Sequence, residues 1–517
     1  MLGGFARRHP DKPAIIFENE EISFAALDRR SDRMANALGA NGLAVGDRVI
    51  LYVGNSLALV EAAVGVWKAG GVVVPASTWL TSAELRYMVE DCRPYAVVFG
   101  PDQSDAVVDS GTTSGPGAPR SLFIGKDPPA GSIDVEGFAA SGADGPPPAL
   151  EPEPDDAMIS YTSGTTGQPK GAIITHANLI AQALLTGNAW GLGGGDIHLV
   201  TTPVAHRTGL SRLMSCMCHG ATVVLLARFD PEAAFTAIAR HGATVFGAVP
   251  TVVRRLLDAL SPDDNRCDGL RLLMATGEAF PIDLKKRLAQ RLPDIGLHSF
   301  YAMTEAGAPA TLRPDEQKSH PGSVGRITPG MEVRIVAADG GTAPTGETGE
   351  IEVRCGVPGR FIMMRGYYNR PDATQSAFNG SWFRTGDVGY FDGDGFLYLV
   401  DRIKDMIVTG GFNVYSREVE LALEGHEAVD GAAVVAGPDA EFGECVVAFV
   451  TRHMDASADE LADELIAHCR ERIAAYKRPK HVVFLDALPR NVNGKVAKND
   501  LRARAAEVVN GAPGPGE

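Results

Sequence analysis

Residues 161–171 read Tyr161-Thr-Ser-Gly-Thr-Thr-Gly-Gln-Pro-Lys-Gly171 and follow the strand-like run Ala157-Met-Ile-Ser160. Three glycines let backbone approach an anion, three threonines and one serine supply hydroxyl donors, and Lys170 adds a positive charge. The segment is built to wrap phosphate; an ordinary polar turn needs no such density of hydroxyls and glycines. It is not a Walker A loop, because G-x-x-x-x-G-K-[ST] fits it in no register, so a P-loop hydrolase loses support.

On both sides of this loop the chain has the rhythm of α/β layers. From Ala14 to Phe99, apolar runs alternate with helix-like stretches such as Leu57 to Ala69, which runs into Gly70-Gly71. Residues from about Gln103 to Asp156 are rich in Gly, Pro, Ser and Asp and predict a surface connection with one strand, Ser121-Leu-Phe-Ile124. A second α/β stretch runs from Ala157 to about Pro309, and Gly322 to Leu399 reads as short strands and turns. After Asp401 comes a small α+β unit with a helix near Ala458 to Ala475. The expected fold is α/β and multidomain: a large N-terminal domain (1–401) of two α/β subdomains plus a β-rich subdomain, then a small C-terminal domain (402–517).

With 517 residues, 45% of them hydrophobic, the chain can bury several cores. Forty-eight Lys and Arg against 64 Asp and Glu give a net charge of -16, which argues against a general nucleic-acid binder. Seven scattered cysteines form neither a disulfide scaffold nor a C-x-x-C zinc site, and read as buried thiols in a reducing compartment. The N-terminus carries no signal-like apolar core, and no 18-residue apolar stretch lacks charges. The expected location is the cytoplasm, with no integral membrane segment.

The phosphate loop resembles the signature of the adenylate-forming enzymes: acyl- and aryl-CoA synthetases, coumarate-CoA ligases, luciferases and the adenylation domains of peptide synthetases. Further motifs follow in that family's order, so the resemblance covers nearly the whole chain. It implies that Thr162, Ser163, Gly164, Thr165, Thr166, Gly167 and Lys170 bind the phosphates of ATP. Ala275-Thr-Gly277-Glu278-Ala279 is similar to the adenine-side segment. Tyr301-Ala302-Met-Thr304-Glu305 looks like Y-G-M-T-E, in which the aromatic stacks on adenine, Thr304 contacts the α-phosphate and Glu305 holds magnesium. Read alone, a Thr-Glu pair is more often a helix cap.

Trp382-Phe-Arg-Thr-Gly-Asp387 resembles W-x-x-T-G-D, so Asp387 is expected at the ribose hydroxyls. Asp401-Arg402-Ile-Lys404 is similar to the family's interdomain boundary, with Arg402 as a second ribose contact and Lys404 as the hinge. Gly410 and Gly411 match glycines that line the pantetheine tunnel in relatives using coenzyme A. Leu488-Pro-Arg-Asn-Val-Asn-Gly-Lys495 resembles P-x-x-x-x-G-K, which makes Lys495 the catalytic lysine. Pro203-Val-Ala-His206-Arg-Thr-Gly209 corresponds to H-x-x-G, where His206 either borders the acyl pocket or is a satisfied core histidine. Arg207 faces either a second carboxylate of the substrate or solvent, and solvent is the expected answer, because arginines are usually exposed.

Two departures stand out: Ala302 replaces the usual glycine, trimming the pocket towards a short-to-medium or aryl acid, and Glu278 stands where relatives carry small apolar residues. The implied activity is a magnesium- and ATP-dependent ligase that forms an acyl-adenylate and passes the acyl group to coenzyme A, acting as a monomer or homodimer. One rival is a free-standing enzyme that loads a carrier-protein thiol. It ranks second because no carrier domain is appended and no clear aspartate-bearing amino-acid specificity segment occurs. A non-catalytic nucleotide-binding regulator is the other rival, opposed by intact Lys170, Glu305, Asp387 and Lys495.

Overall fold

The first strand, Pro13–Phe17, pairs in parallel with Thr222–Leu225, far along the chain, with Ile15 opposite Val223. A computed structural model of the chain describes residues 2–115, 117–151, 155–162, 168–276, 280–453, 458–490 and 495–511. These fall into two compact units, Met1–Val333 with Val353–Phe383, and Arg334–Glu352 with Arg384–Glu517.

The first unit holds a nine-stranded and an eight-stranded sheet among the described residues. At the centre of the nine-stranded sheet lie Gly296–Met303, Leu272–Ala275, Val245–Ala248, Ile197–Val200 and Thr222–Leu225, all parallel. These strands are continuous apolar runs because helices cover them: Phe235, Ile238, Leu256, Leu284 and Leu288 pack with Leu199, Phe246 and Leu273 in one core. The eight-stranded sheet contains Arg48–Tyr52, Val72–Pro75 and Ala96–Phe99, and also Asp156–Thr162, the strand that leads into the phosphate loop. That strand turns back as Lys170–Thr175, antiparallel to it, with Thr162 opposite Lys170. The sheets therefore interleave along the chain where the sequence read as two successive blocks.

Two expectations need correction. The stretch 103–156 carries two helices, Ser104–Ser110 and Val135–Ala140, and a second short strand, Ile133–Asp134, beside the expected Arg120–Phe123. Its polar composition hid a regular edge, since a sheet margin needs few apolar residues. The region 322–399 supplies the expected β-rich part, a five-stranded sheet of Glu332–Val336, Gly349–Arg354, Phe378–Asn379, Trp382–Phe391 and Leu397–Arg402, while Arg326–Ile327 extends the nine-stranded sheet and Gly366–Tyr367 the eight-stranded one. The helix expected to Ala475 is Ala458–Arg470, with a separate 3-10 turn at Ala475–Lys477.

In the second unit, Val429–Asp439 and Gly443–Arg452 form a long antiparallel pair, extended by Ile407–Thr409, Phe412–Val414 and His481–Phe484. Ala432, Val434, Val446 and Ala448 face a core with Val419, Leu423, Leu461 and Leu465. Their neighbours Ala433, Val435, Val447 and Phe449 face Leu501 and Ala505 on the opposite side. With both faces covered, alternation disappears from the sequence and the strands read as solid apolar runs. Six of the seven cysteines are buried, and all are free thiols. Among the described residues no helix is long and apolar enough to cross a membrane.

Candidate active site

Glu305 lies in the turn 304–306 between the antiparallel strands Gly296–Met303 and Gly307–Leu312, so the Thr-Glu pair caps no helix. Its Oε1 accepts two hydroxyl hydrogen bonds, from Thr162 Oγ1 at 3.2 Å and from Tyr367 at 3.0 Å. Thr162 ends the strand that enters the phosphate loop, so this bond ties the loop to the turn. Lys170 lies with Nζ 5.5 Å from the centre of the Tyr367 ring. Burial and the neighbouring Glu305 push the Tyr367 hydroxyl up, which keeps it a proton donor. The predicted phosphate and metal residues Thr162, Lys170 and Glu305 are thus brought together. Residues Ser163, Gly164, Thr165, Thr166 and Gly167 lie outside the described residues.

The donor set suits magnesium. Both hydroxyls donate to one carboxylate oxygen, leaving the other to a hard cation, and Glu305 forms no ion pair among the described residues. One carboxylate, with substrate phosphates completing the shell, is an ordinary magnesium arrangement.

Helix His176–Ala189 holds this turn in place. Its capping box joins Thr175 and Asn178, whose buried amide donates to the carbonyls of Phe361 at 3.0 Å and Met363 at 2.9 Å. Met364 in turn donates its N–H to the Glu305 carbonyl at 2.8 Å. On the same helix Gln182 Oε1 accepts from Arg207 Nη2 at 2.6 Å. Arg207 is 5% exposed, which overturns the expectation that it faces solvent. Nothing in the local sequence marks that burial; Gln182, 25 residues earlier, decides it.

Arg207 opens helix Arg207–His219, whose N-cap is His206. The His206 ring accepts from the Thr208 N–H at 3.3 Å, and the residue is exposed, so it is not a core histidine. Gly209 is required by contact: a Cβ there would lie 2.2 Å from the Pro203 carbonyl oxygen. Tyr301 is buried beside the exposed Ala302, at a bulge between Tyr301 and Met303, and Thr304 follows in the turn. Thr276 closes the adenine-side strand and donates to the Phe300 carbonyl at 3.4 Å. Gly277, Glu278 and Ala279 lie outside the described residues.

The remaining candidates belong to the second unit. Asp387 and Arg402 stand opposite each other on the antiparallel strands Trp382–Phe391 and Leu397–Arg402, and Arg402 Nε meets Asp387 Oδ1 at 3.0 Å. Lys404 is exposed in the 3-10 turn Ile403–Asp405, its carbonyl bound by Arg502 at 2.9 Å. Gly410 and Gly411 form the two-residue turn between Ile407–Thr409 and Phe412–Val414, with φ of 55° and 83°. Two positive φ values define the hairpin turn that glycine pairs favour, so geometry alone accounts for both residues. Lys495 is exposed. The helix Lys498–Val509 that follows it is anchored by Lys498 Nζ at 2.7 Å from both Glu420 Oε1 and Ser416 Oγ.

Sequence reasoning missed Gln182, Tyr367, Asn178 and Glu420. The capping pattern of Thr175 and Asn178 was a readable signal for one of them; Gln182 and Tyr367 gave none.

Two family descriptions match the chain: AMP-binding enzyme over residues 4–368, and AMP-binding enzyme C-terminal domain over 418–495. A feruloyl-CoA synthase of Amycolatopsis sp is 35% identical over 507 residues, covering 96% of this chain and 97% of its own. ATP-bound MatB from Rhodopseudomonas palustris superposes with a TM-score of 0.86 at 31% identity, covering 98% of this chain and 99% of that one. The O-succinylbenzoate coenzyme A synthetase MenE of Bacillus subtilis, in complex with ATP and a magnesium ion, gives 0.83 at 30% identity, over 97% and 98%. The motifs quoted from the sequence, the sheets that carry them and these likenesses agree: the chain belongs to the AMP-binding enzyme family and, within it, to the acid–CoA ligases.

Proposed function

We propose that the protein joins a short-to-medium or aryl carboxylic acid to coenzyme A in two steps. First the acid's carboxylate oxygen attacks the α-phosphorus of ATP, forming the acyl-adenylate and releasing pyrophosphate. The thiol of coenzyme A then attacks the acyl carbon, giving the thioester and AMP after loss of its proton. No covalent enzyme intermediate is needed. The observation that carries this reading is the Glu305 turn, where a carboxylate fixed by the hydroxyls of Thr162 and Tyr367 stands with Lys170 beside the same Tyr367 ring.

In this reading Lys170 and the hydroxyls and amides of residues 162–167 hold the phosphates, with Thr304 at the α-phosphate. Tyr301, Ala302 and the segment 277–279 border the adenine. Asp387, oriented by Arg402, accepts hydrogen bonds from the ribose hydroxyls. Glu305 holds the magnesium ion, which supplies charge neutralisation across the phosphates. Lys495 bridges the acid's carboxylate and the α-phosphate as charge shifts between them. His206 borders the acyl group, Ala302 shortens its pocket, and Gly410 and Gly411 serve the pantetheine arm.

The domain boundary falls at Asp401–Arg402, with residues 1–401 as the AMP-binding domain, 402–517 as a mobile C-terminal domain, and Lys404 as the hinge between the two half-reactions. The protein works in the cytoplasm as a monomer or homodimer. The feruloyl-CoA synthase likeness supports an aryl acid.

A panel of carboxylic acids assayed for pyrophosphate exchange and AMP release tests the reaction. Acid-dependent AMP release with free coenzyme A is the expected result. Turnover only with a phosphopantetheinylated carrier would move the acceptor to a protein, and nucleotide binding without exchange would make the chain a regulator.

A further inference from the structure

Arg207 is an unusual residue to find where it stands. Its guanidinium is 5% exposed, and Nη2 is held by Gln182 Oε1 at 2.6 Å. Nη1 is buried with no hydrogen-bond partner among the described residues, and no carboxylate forms an ion pair with the group there. Burial draws its pKa down to about 10, opposed only by the field of Glu305. Withdrawing a cation from water without an anion is costly, and leaving one of its N–H groups unmade adds to the cost. An anionic oxygen brought to Nη1 would meet both costs at once.

The position identifies what arrives. Arg207 is the residue after the exposed N-cap His206, and its partner Gln182 lies on the helix that also fixes the Glu305 turn. The guanidinium is therefore placed beside the reaction centre without touching Glu305, and Gln182 presents it in one orientation. A neutral amide, the one hydrogen-bond partner of the group among the described residues, orients a guanidinium without discharging it, so the charge is kept for an incoming group.

We infer that Arg207, positioned by Gln182, is a receptor for a second anionic group on the acid, so that the preferred substrate is a short acid carrying a carboxylate or sulfonate besides the carboxylate that is activated. This rests on the ligase reading above and narrows its substrate class. An acid with a single carboxylate leaves Nη1 unpaired, whereas a second anionic oxygen completes it. The requirement for a hydrogen-bonding group discriminates far more strongly than an added methylene does.

Matched acids test this: propanoate against succinate, acetate against sulfoacetate, and benzoate against isophthalate, each followed by acid-dependent pyrophosphate exchange. The expected result is a kcat/KM about 100-fold higher for the dianionic member of at least one pair. In Arg207→Gln that ratio should collapse to near one, through KM for the dianionic acid. Gln182→Leu, which leaves the charge and removes its orientation, should lower the ratio about tenfold. Both variants are checked for an unchanged fold by circular dichroism and melting temperature.

Three results would overturn the inference. The wild type could prefer the monoanion in every pair. Arg207→Gln could depress both members equally. Its only effect could be a raised KM for ATP, which would assign the guanidinium to the nucleotide's phosphates. If monoanionic acids are adenylated well, the ligase reading survives that failure; exchange with no acid at all would remove both.

Discussion

Glu305, in the turn between two antiparallel strands, and Asp387, on one strand of another antiparallel pair, are supported by opposite means. Glu305 is steadied by neutral hydroxyls, from Thr162 and Tyr367, and Arg207 acts on it only through space. Asp387 is 7% exposed and is gripped directly by a guanidinium, at 3.0 Å from Arg402. Hydroxyls fix a carboxylate's direction without neutralising it, which suits the magnesium ligand proposed at Glu305. An arginine neutralises as it orients, which suits a carboxylate whose proposed partners are the uncharged hydroxyls of a sugar. The kind of support thus differs between the proposed metal ligand and the proposed ribose acceptor.

The comparison can be broken most severely at Lys495, where the charge for adenylation is proposed to come from the mobile domain and not from either carboxylate. Lys495→Ala should lower pyrophosphate exchange by about 1,000-fold while largely sparing thioester formation from presynthesised acyl-adenylate. Equal loss of both half-reactions in single-turnover assays would remove the assignment.

Glu305→Gln keeps the shape and discards the charge. It should reduce adenylation about 100-fold and shift magnesium saturation upward, with partial rescue at high magnesium. Tyr367→Phe, which removes one hydroxyl only, should give a smaller magnesium shift and a loss of about tenfold. If neither variant changes the magnesium titration, the metal site lies elsewhere.

At the other carboxylate the effect should appear in ATP affinity alone. Arg402→Gln and Asp387→Asn are each expected to raise KM for ATP about tenfold and leave magnesium dependence as it was. A magnesium shift there would erase the distinction between the two carboxylates.

The smallest expected effect concerns the glycine turn, and it is a matter of separating strain from obstruction. Gly411→Leu is expected to impair the coenzyme A step and leave pyrophosphate exchange intact. With φ at 83°, any β-carbon there also strains the hairpin, by about 1 kcal/mol. Gly411→Asn tolerates that backbone better and carries less bulk. Normal coenzyme A saturation in the Asn variant with loss in the Leu variant would locate the effect in the arm's path. Equal loss in both would assign it to the turn.

Much of the site was legible because its residues lie within short contiguous motifs. Thr162 and Glu305, taken separately from two such motifs, meet in the structure, while Gly410 and Gly411, read as glycines of a pantetheine tunnel, form a hairpin turn. What was not legible depends on contacts between distant segments. Tyr367 reaches Glu305 only because Gly366–Tyr367 joins the sheet beside Lys170–Thr175, and a two-residue strand leaves no periodicity to read. Arg207 is buried because one amide on another helix accepts from it, although an arginine after a helix cap reads as exposed. The edge elements within 103–156 were lost to composition, since Gly and Pro dominate the sequence around them.

The pairing of Pro13–Phe17 with Thr222–Leu225 also governs how the protein is made. A ribosome adding about 5–20 residues per second delivers the partner strand roughly 10–40 s after the first one has emerged. During that interval the hairpin Pro13–Ser23 holds Ile15 and Ile16, both buried in the finished fold, without the sheet that will cover them. Long-range parallel pairing is slow to form in any case. The nascent chain therefore carries a sticky, unfinished margin through the middle of its synthesis, and yield during expression should depend on translation rate and chaperone supply more than on the stability of the completed enzyme.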